Sequence, residues 1–499
     1  MIVSLEEAVY PILPKGGPQI RFEAWRDATE AGFDLDLRSQ LWHDEAREDI
    51  MERMWEVLGV SELPSPLIVF EEEEREKLGP YSIQFPFADR EGSLSEFYQN
   101  VELDSVDTEN FSNSIAAILP RGTLEPLSIS QAVENLPKRK GLGLPYLGSN
   151  PSDLQHYVNR ADAVLAGEPS YINDAMLYWR GQPGGPDPSD VKQRNVEGMD
   201  KLDAILGGRF VYPITDFLRQ RREFAAWESL NAVDENITFM LERSSRDKIS
   251  MDYSGFDASL SLDLIDRVMY AIGRAFTNTG GMELLTESLR ETGIVTPRGV
   301  FRSRTSGLLS GTVFTSVIGT LVNYGVSMSV AYRTNTRLVS AQFLGDDSVL
   351  DYSPSIPDDE FGSAIEGFGL KTNPDKRYRS PEAVHYLQNV YSKEYQIDGV
   401  SRGMRPVSRM LNGALSYERQ RREWSRWLAA SRTVMQLFNC RWHPKYDELV
   451  EFVKTGDEAL AENSAQEIFS KAGGREEVER VLGLDAFSST TQGLEEAEW

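Results

Sequence analysis

Two adjacent carboxylates, Asp346 and Asp347, follow Gly345 in the run AQFLGDDSVLDYS (341–353), between apolar Phe343-Leu344 and Val349-Leu350. Carboxylates about 4 Å apart repel by about 4 kcal/mol at an effective dielectric near 20. A turn needs one Asp beside a Gly, so the second calls for a counter-charge. A solvated hairpin turn and a metal seat at a hairpin tip both fit the tripeptide. Asp252 and Asp257 lie five apart in MDYSGFDASL. An acid at a helix start such as Asp257 can simply complement the dipole, or it can face a substrate. A third polar set, Ser310, Gly311, Thr315 and Asn323, lies in LLSGTVFTSVIGTLVNY. On one helix, Thr315 and Asn323 stand about 80° apart, two turns along the same side. Such residues in an apolar helix need partners: either interhelical hydrogen bonds or a sugar hydroxyl.

These residues need elements to bring them together. KISMDY (248–253) reads as a strand that ends at Asp252, with Ser254-Gly255 as a flexible joint before a helix at Asp257. SLDLIDRVMYAIGRAF spaces Leu262, Ile265, Met269, Ile272 and Phe276 at helical intervals, and TSVIGTLVNYGVSMSVAY reads as a long buried helix. RLVSAQFL and SVLDYS read as two strands about the Gly-Asp-Asp tip. DEFGSAIEGFGL is a helix ending at Gly369, and AVHYLQNVYSKEYQ is strand-like. Strand, helix, helix, hairpin, helix, hairpin is an α+β layer with an antiparallel sheet, not a doubly wound parallel one. Residues 20–60 and 440–490 read as mostly helical. Pro/Gly-rich joints fall at 13–19, 140–153 and 180–190.

At 499 residues the chain exceeds one core and should divide into two to four subregions. One cysteine, Cys440, leaves no internal disulfide and fits a reducing compartment; four scattered histidines give no zinc pattern, so a metal here would be a hard ion held by oxygen. No stretch reaches the roughly 20 apolar residues of a membrane span, so a soluble, intracellular protein is expected. The net charge of −26 argues against a protein that coats nucleic acid with its whole surface. Basic clusters at 137–141, 191–195, 217–224, 401–410 and 417–427 interrupt that excess. They are either solvated helix faces or the lining of an enclosed, locally basic channel.

The order and spacing of MDYSGFDASL, SGTVFT with Asn323, and Gly345-Asp346-Asp347 resemble motifs A, B and C of viral RNA-dependent RNA polymerases. The form of the second motif is similar to the picobirnavirus and partitivirus branch of double-stranded RNA viruses. VKQRNV resembles the basic finger motif F, GFGLKTNPDKRY motif D, HYLQNVYS motif E, and GMRPVSRMLNGALSYERQR the opening of the thumb. The resemblance runs from about 190 to 425 and does not extend to residues 1–135 or 430–499.

The resemblance implies a right hand of fingers, palm and thumb, its antiparallel palm sheet flanked by helices. It implies an N-terminal extension (1–110) bridging fingers and thumb, fingers and the start of the palm at 111–245, and palm at 246–276. A fingers insertion (277–305), palm (306–400), and thumb with C-terminal tail (401–499) complete the division. It implies two-metal nucleotidyl transfer, with Asp252, Asp346 and Asp347 as ligands of Mg2+, or Mn2+. Asp257, Ser310, Gly311, Thr315 and Asn323 would meet the incoming nucleotide, an Asp near the ribose favouring ribonucleotides. Lys192 and Arg194, which share a side if that segment is extended, would meet the triphosphate. Lys376 would protonate the leaving pyrophosphate, with Lys371 as its rival, and Arg402, Arg405 and Arg409 would touch template or product RNA. Partners would be RNA, ribonucleoside triphosphates and a viral capsid protein, with no membrane; the place of action would be the virion interior and host cytoplasm. Rival readings are a reverse transcriptase-like copying enzyme, a two-metal nuclease, and a non-catalytic RNA-binding or capsid-associated protein on a palm scaffold. Intact Asp252, Asp346 and Asp347 weigh against the last.

Overall fold

The computed structural model describes residues 1–35, 38–136, 141–148, 150–180, 184–191, 193–372, 377–417 and 424–482. Lys192, Lys376, most of the 137–141 and 417–427 basic clusters and the C-terminal tail lie outside them.

The expected α+β layer is present. A four-stranded antiparallel sheet has the spatial order Tyr378–Ser380, Lys248–Met251, Asp347–Ser353, Arg337–Leu344. Its two longest strands form a hairpin around Gly345-Asp346, where Gly345 adopts φ +59°, a conformation that side chains with a Cβ rarely take. Val349 and Leu350 are fully buried, as are Phe343 and Ile249, so this sheet is covered on both faces. One cover is the helix Thr315–Arg333, buried nearly all round through Val317, Ile318, Leu321, Val322, Val326 and Val330. Leu262–Ala275 packs beside it through the 3.6-residue stripe read in the sequence. Ala383–Tyr386 and Asn389–Ser392 form the second expected hairpin.

A second sheet has the order Ile2–Val3, Gly299–Phe301, Ile294–Thr296, Ala175–Arg180, Arg194–Gly198. It joins the expected fingers to the expected insertion, and its edge strand comes from the amino terminus. Leu5, Val9, Leu13 and Phe22 bury themselves against Met176, Val295 and Val300 of that sheet. Further along the amino-terminal segment, Ile50, Met54 and Leu58 of the helix Arg47–Leu58 enter a core built from Val407, Leu411, Leu428, Leu449 and Leu460. Residues 1–58 therefore touch both the second sheet and the carboxy-terminal helices, as a bridge between the two must.

Candidate active site

The strand Lys248–Met251 pairs antiparallel with Asp347–Ser353, Ser348 facing Met251. One more step in that register sets Asp347 opposite Asp252, and directly opposed Cβ atoms lie about 4.5–5.5 Å apart. The Asp347 carboxyl is pushed up to about 7, first by burial, then by the charges of Asp346 and Asp252, with Arg409 opposing. Three carboxylates thus share one field. Among the described residues no group of three or more His, Cys, Asp or Glu side chains is drawn together closely enough to hold a metal ion as it stands. An all-oxygen, partly open set suits a hard cation that keeps several waters.

The turn is held from behind. The Thr320 hydroxyl accepts from Gly345 N at 2.8 Å, and the Asn323 amide donates to the carbonyls of Gly345 and Asp346 at 3.1 Å each. The Tyr253 hydroxyl, next to Asp252, donates to Asn323 Oδ1 at 3.2 Å. This latch ties the two acidic segments through one fully buried amide. Asn323 was expected at the nucleotide; both ends of its amide are engaged within the protein, by the hairpin turn and Tyr253 rather than by another helix. Thr315 is similar, its hydroxyl donating to the carbonyls of Leu309, Ser310 and Thr312 at 2.8–3.1 Å.

The Ser310-Gly311 loop is held by two acids that the sequence did not single out. The buried Glu197 carboxylate accepts from Ser310 N at 3.1 Å and from Ser310 Oγ at 2.8 Å, while Glu197 N donates back to Ser310 Oγ at 3.0 Å. The fully buried Asp203 accepts from Thr312 Oγ1 and Val313 N, at 3.0 and 2.9 Å. A Cβ on Gly311 would lie 1.9 Å from the Glu197 carbonyl oxygen, so only glycine fits. Burial raises both carboxyls, that of Asp203 to about 6. Asp257 is half-buried and pushed up to about 7 by burial and by the charges of Asp346 and Glu197. It therefore borders both the acidic turn and the loop. Glu197 lies three residues after Arg194, but nothing in the sequence marks it; Asp203 shows only as one acid in an otherwise apolar run.

Arg194 is exposed on the strand Arg194–Gly198 and faces Arg180 across the sheet. Like charges directly opposite are unfavourable without an anion between them. The three thumb arginines are engaged within the protein. Arg402 donates to Asp234 at 3.1 Å, half-buried Arg405 to Gln388 at 3.0 Å, and Arg409 to Glu74 at 2.5 Å. These contacts lend no support to the expectation that the three arginines hold RNA. Lys371 lies beside the acidic strand, its carbonyl accepting from Ser254 N at 2.8 Å; Lys376 is outside the described residues.

Fold and site together define a right-hand, template-copying polymerase. A family model of viral RNA-dependent RNA polymerases matches residues 125–454, and the chain belongs to that family. It is 27% identical over 410 residues to a potential RNA-dependent RNA polymerase of Human picobirnavirus (strain Human/Thailand/Hy005102/-), covering 78% of this chain and 76% of the relative. It is 30% identical over 140 residues, 26% of each chain, to an RNA-directed RNA polymerase of Cryptosporidium parvum virus 1 (strain KSU-1). The crystal structure of a human picobirnavirus RNA-dependent RNA polymerase matches with a TM-score of 0.83 at 21% identity, covering 97% of this chain and 96% of that one. An insertion-loop deletion mutant of that polymerase matches with a TM-score of 0.82 at 22% identity over 97% of each chain. This protein is an RNA-directed nucleotidyltransferase, and as such it binds RNA and nucleotides. Among the described residues no helix is long and apolar enough to cross a membrane.

Proposed function

We infer that Asp252, Asp346 and Asp347 hold divalent cations, Mg2+ or Mn2+, for transfer of ribonucleotides onto a growing RNA strand. The observation that carries this reading is the strand register that sets Asp347 opposite Asp252, with Asp346 beside them at the turn. When bound, two such cations would offset charge on the entering 3′-oxygen and the leaving pyrophosphate oxygen.

The chain's own residues do the rest by position. Tyr253, Asn323 and Thr320 fix the acidic turn, so its carboxylates need little reorganisation during reaction. Glu197 and Asp203 fix the Ser310-Gly311 loop beside Asp257, which would receive the ribose 2′-hydroxyl. Arg180 and Arg194 are suited to share the triphosphate between them. Lys376, with Lys371 as alternative, would protonate the leaving group. Continuity of the second sheet supports fingers at 111–245 and 277–305, around a palm at 246–276 and 306–400. Residues 1–110 would bridge the fingers to a thumb at 401–499. Replication and transcription of a viral double-stranded RNA genome, inside or beside a capsid in the host cytoplasm, would follow.

The test is incorporation of labelled ribonucleotides on a short RNA without primer. Synthesis should require divalent metal, stop with EDTA, prefer ribo- over deoxynucleotides, and vanish in Asp346→Ala while the fold is kept. Near-normal activity of Asp346→Ala would refute the ligand assignment, and equal use of deoxynucleotides the role of Asp257.

A further inference from the structure

The palm hairpin has a second end. Its strands open at Arg337 and Ser353, about 23 Å from the acidic turn at about 3.3 Å per residue. There Arg243, Arg246, Arg337, Val339 and Ser353 line an open pocket of about 450 Å³. Between Asp351 and Tyr352 the register slips, leaving Val339 without a facing partner. Such a bulge bends the strand and re-aims its neighbours.

The chemistry of this pocket runs against the rest of the molecule. In a chain of net charge −26, with 78 acidic and 52 basic residues, surface arginines have carboxylates in ready supply. Arg246 uses one, gripping the buried Asp351 at 3.0 and 3.1 Å. Arg243 and Arg337 are exposed, and among the described residues neither has a carboxylate partner. Beside them Phe239 is 40% exposed, with the guanidinium of Arg222 5.1 Å from its ring centroid and that of Arg243 5.4 Å away. An exposed ring close to two guanidiniums, beside arginines without a carboxylate partner, offers a face on which a base can displace a guanidinium, together with phosphate donors, the means by which single strands are held without sequence preference. The planar fork of arginine suits phosphate oxygens better than a point charge does.

The geometry points to a docking site for single-stranded RNA on this distal end of the palm, separate from the active site. Arg243 and Arg337 grip the backbone, and Phe239 stacks a base. An acidic surface of another protein would meet the same guanidiniums but would leave Phe239 without a role, so RNA is the occupant proposed.

The test uses the full-length enzyme, a fluorescent eight-nucleotide oligouridylate, and the variants Arg243→Glu/Arg337→Glu and Phe239→Ala. The wild type should bind two oligonucleotides per chain. The charge-reversal variant should retain one, Phe239→Ala should weaken the second site at least tenfold, and both should copy a short primed template at the wild-type rate. Oligouridylate carrying 4-thiouridine should crosslink to the peptide containing Phe239 in the wild type, which reads the site without any substitution. One bound oligonucleotide in the wild type, unchanged stoichiometry in the charge-reversal variant, or no crosslink at that peptide would overturn the proposal. Loss of wild-type self-association in the charge-reversal variant, with RNA binding intact, would identify a protein-docking surface and overturn it equally.

Discussion

The side chains around the acidic turn divide into those that face outward and those that hold them. Asp346 is exposed at the tip, whereas Asn323 and Tyr253 are buried behind it and spend their polar atoms on the backbone and on each other. The first kind is legible in a sequence because Gly-Asp-Asp between apolar runs is locally odd. The second kind is not: Asn323 in an apolar helix announces that it has a partner but not which one. Glu197 and Asp203 announce still less, because their partners at Ser310 and Thr312 lie more than a hundred positions away. Gly311 marks the same hidden contact from the other side. Gly311→Ala should drive a methyl into the Glu197 carbonyl and displace the loop beside Asp257. Since a misplacement of about 1 Å can cost about a hundredfold in rate, steady-state kinetics should show about that loss in kcat/KM for nucleotide. Near-wild-type kinetics would show that the loop's position does not govern activity.

Elements show a similar division. The palm strands and the helix Thr315–Arg333 follow from short and long apolar runs that are buried on all sides, and the helix Leu262–Ala275 from a 3.6-residue stripe that buries one face. The bridging of distant segments leaves no such pattern. The helix Val407–Leu415 begins at Pro406 with no cap of its own, and Glu71 from the helix Ser65–Lys77 supplies the acceptor for Val407 N and Ser408 N. Arg409 then pairs with Glu74, one turn further on, and so reads as a basic RNA contact in sequence but as an internal tie in the structure. Burial raises Glu71 to about 7 from 4.5; Glu74, Cys440 and a His443 that burial pushes down to about 3 surround it. Because the folded value exceeds the unfolded one, stability from this group is complete below about pH 4.5 and is lost as pH rises through about 7. Glu71→Gln keeps an acceptor and removes the ionisation. At pH 8 it should be more stable than the wild type by about 1–3 kcal/mol, since each tenfold change in proton affinity on folding is worth about 1.4 kcal/mol, with little difference at pH 4.5. Urea midpoints at both pH values measure this, and parallel pH profiles would contradict it.

At the scale of the whole molecule, an acidic chain that copies RNA must concentrate its positive charge where RNA lies. The arginines at 180 and 194 on the second sheet and at 243 and 337 behind the palm are the concentrations proposed for that role. The sequence shows basic clusters but not which of their members are neutralised internally, as Arg402 is by Asp234 and Arg409 by Glu74. RNA affinity should fall more than tenfold between about 50 and 200 mM salt, as counterion release at several phosphates requires; a flat response in a filter-binding titration would argue that RNA is held by other means. The central claim is narrower: two neighbouring strands bring Asp252, Asp346 and Asp347 to one set of cations. Its most direct measurement is a manganese titration of the enzyme with RNA and a non-hydrolysable nucleotide, followed by electron paramagnetic resonance. The wild type should hold two ions per active site, and Asp252→Asn should lose at least one of them while still binding RNA. Full occupancy in Asp252→Asn would contradict the account.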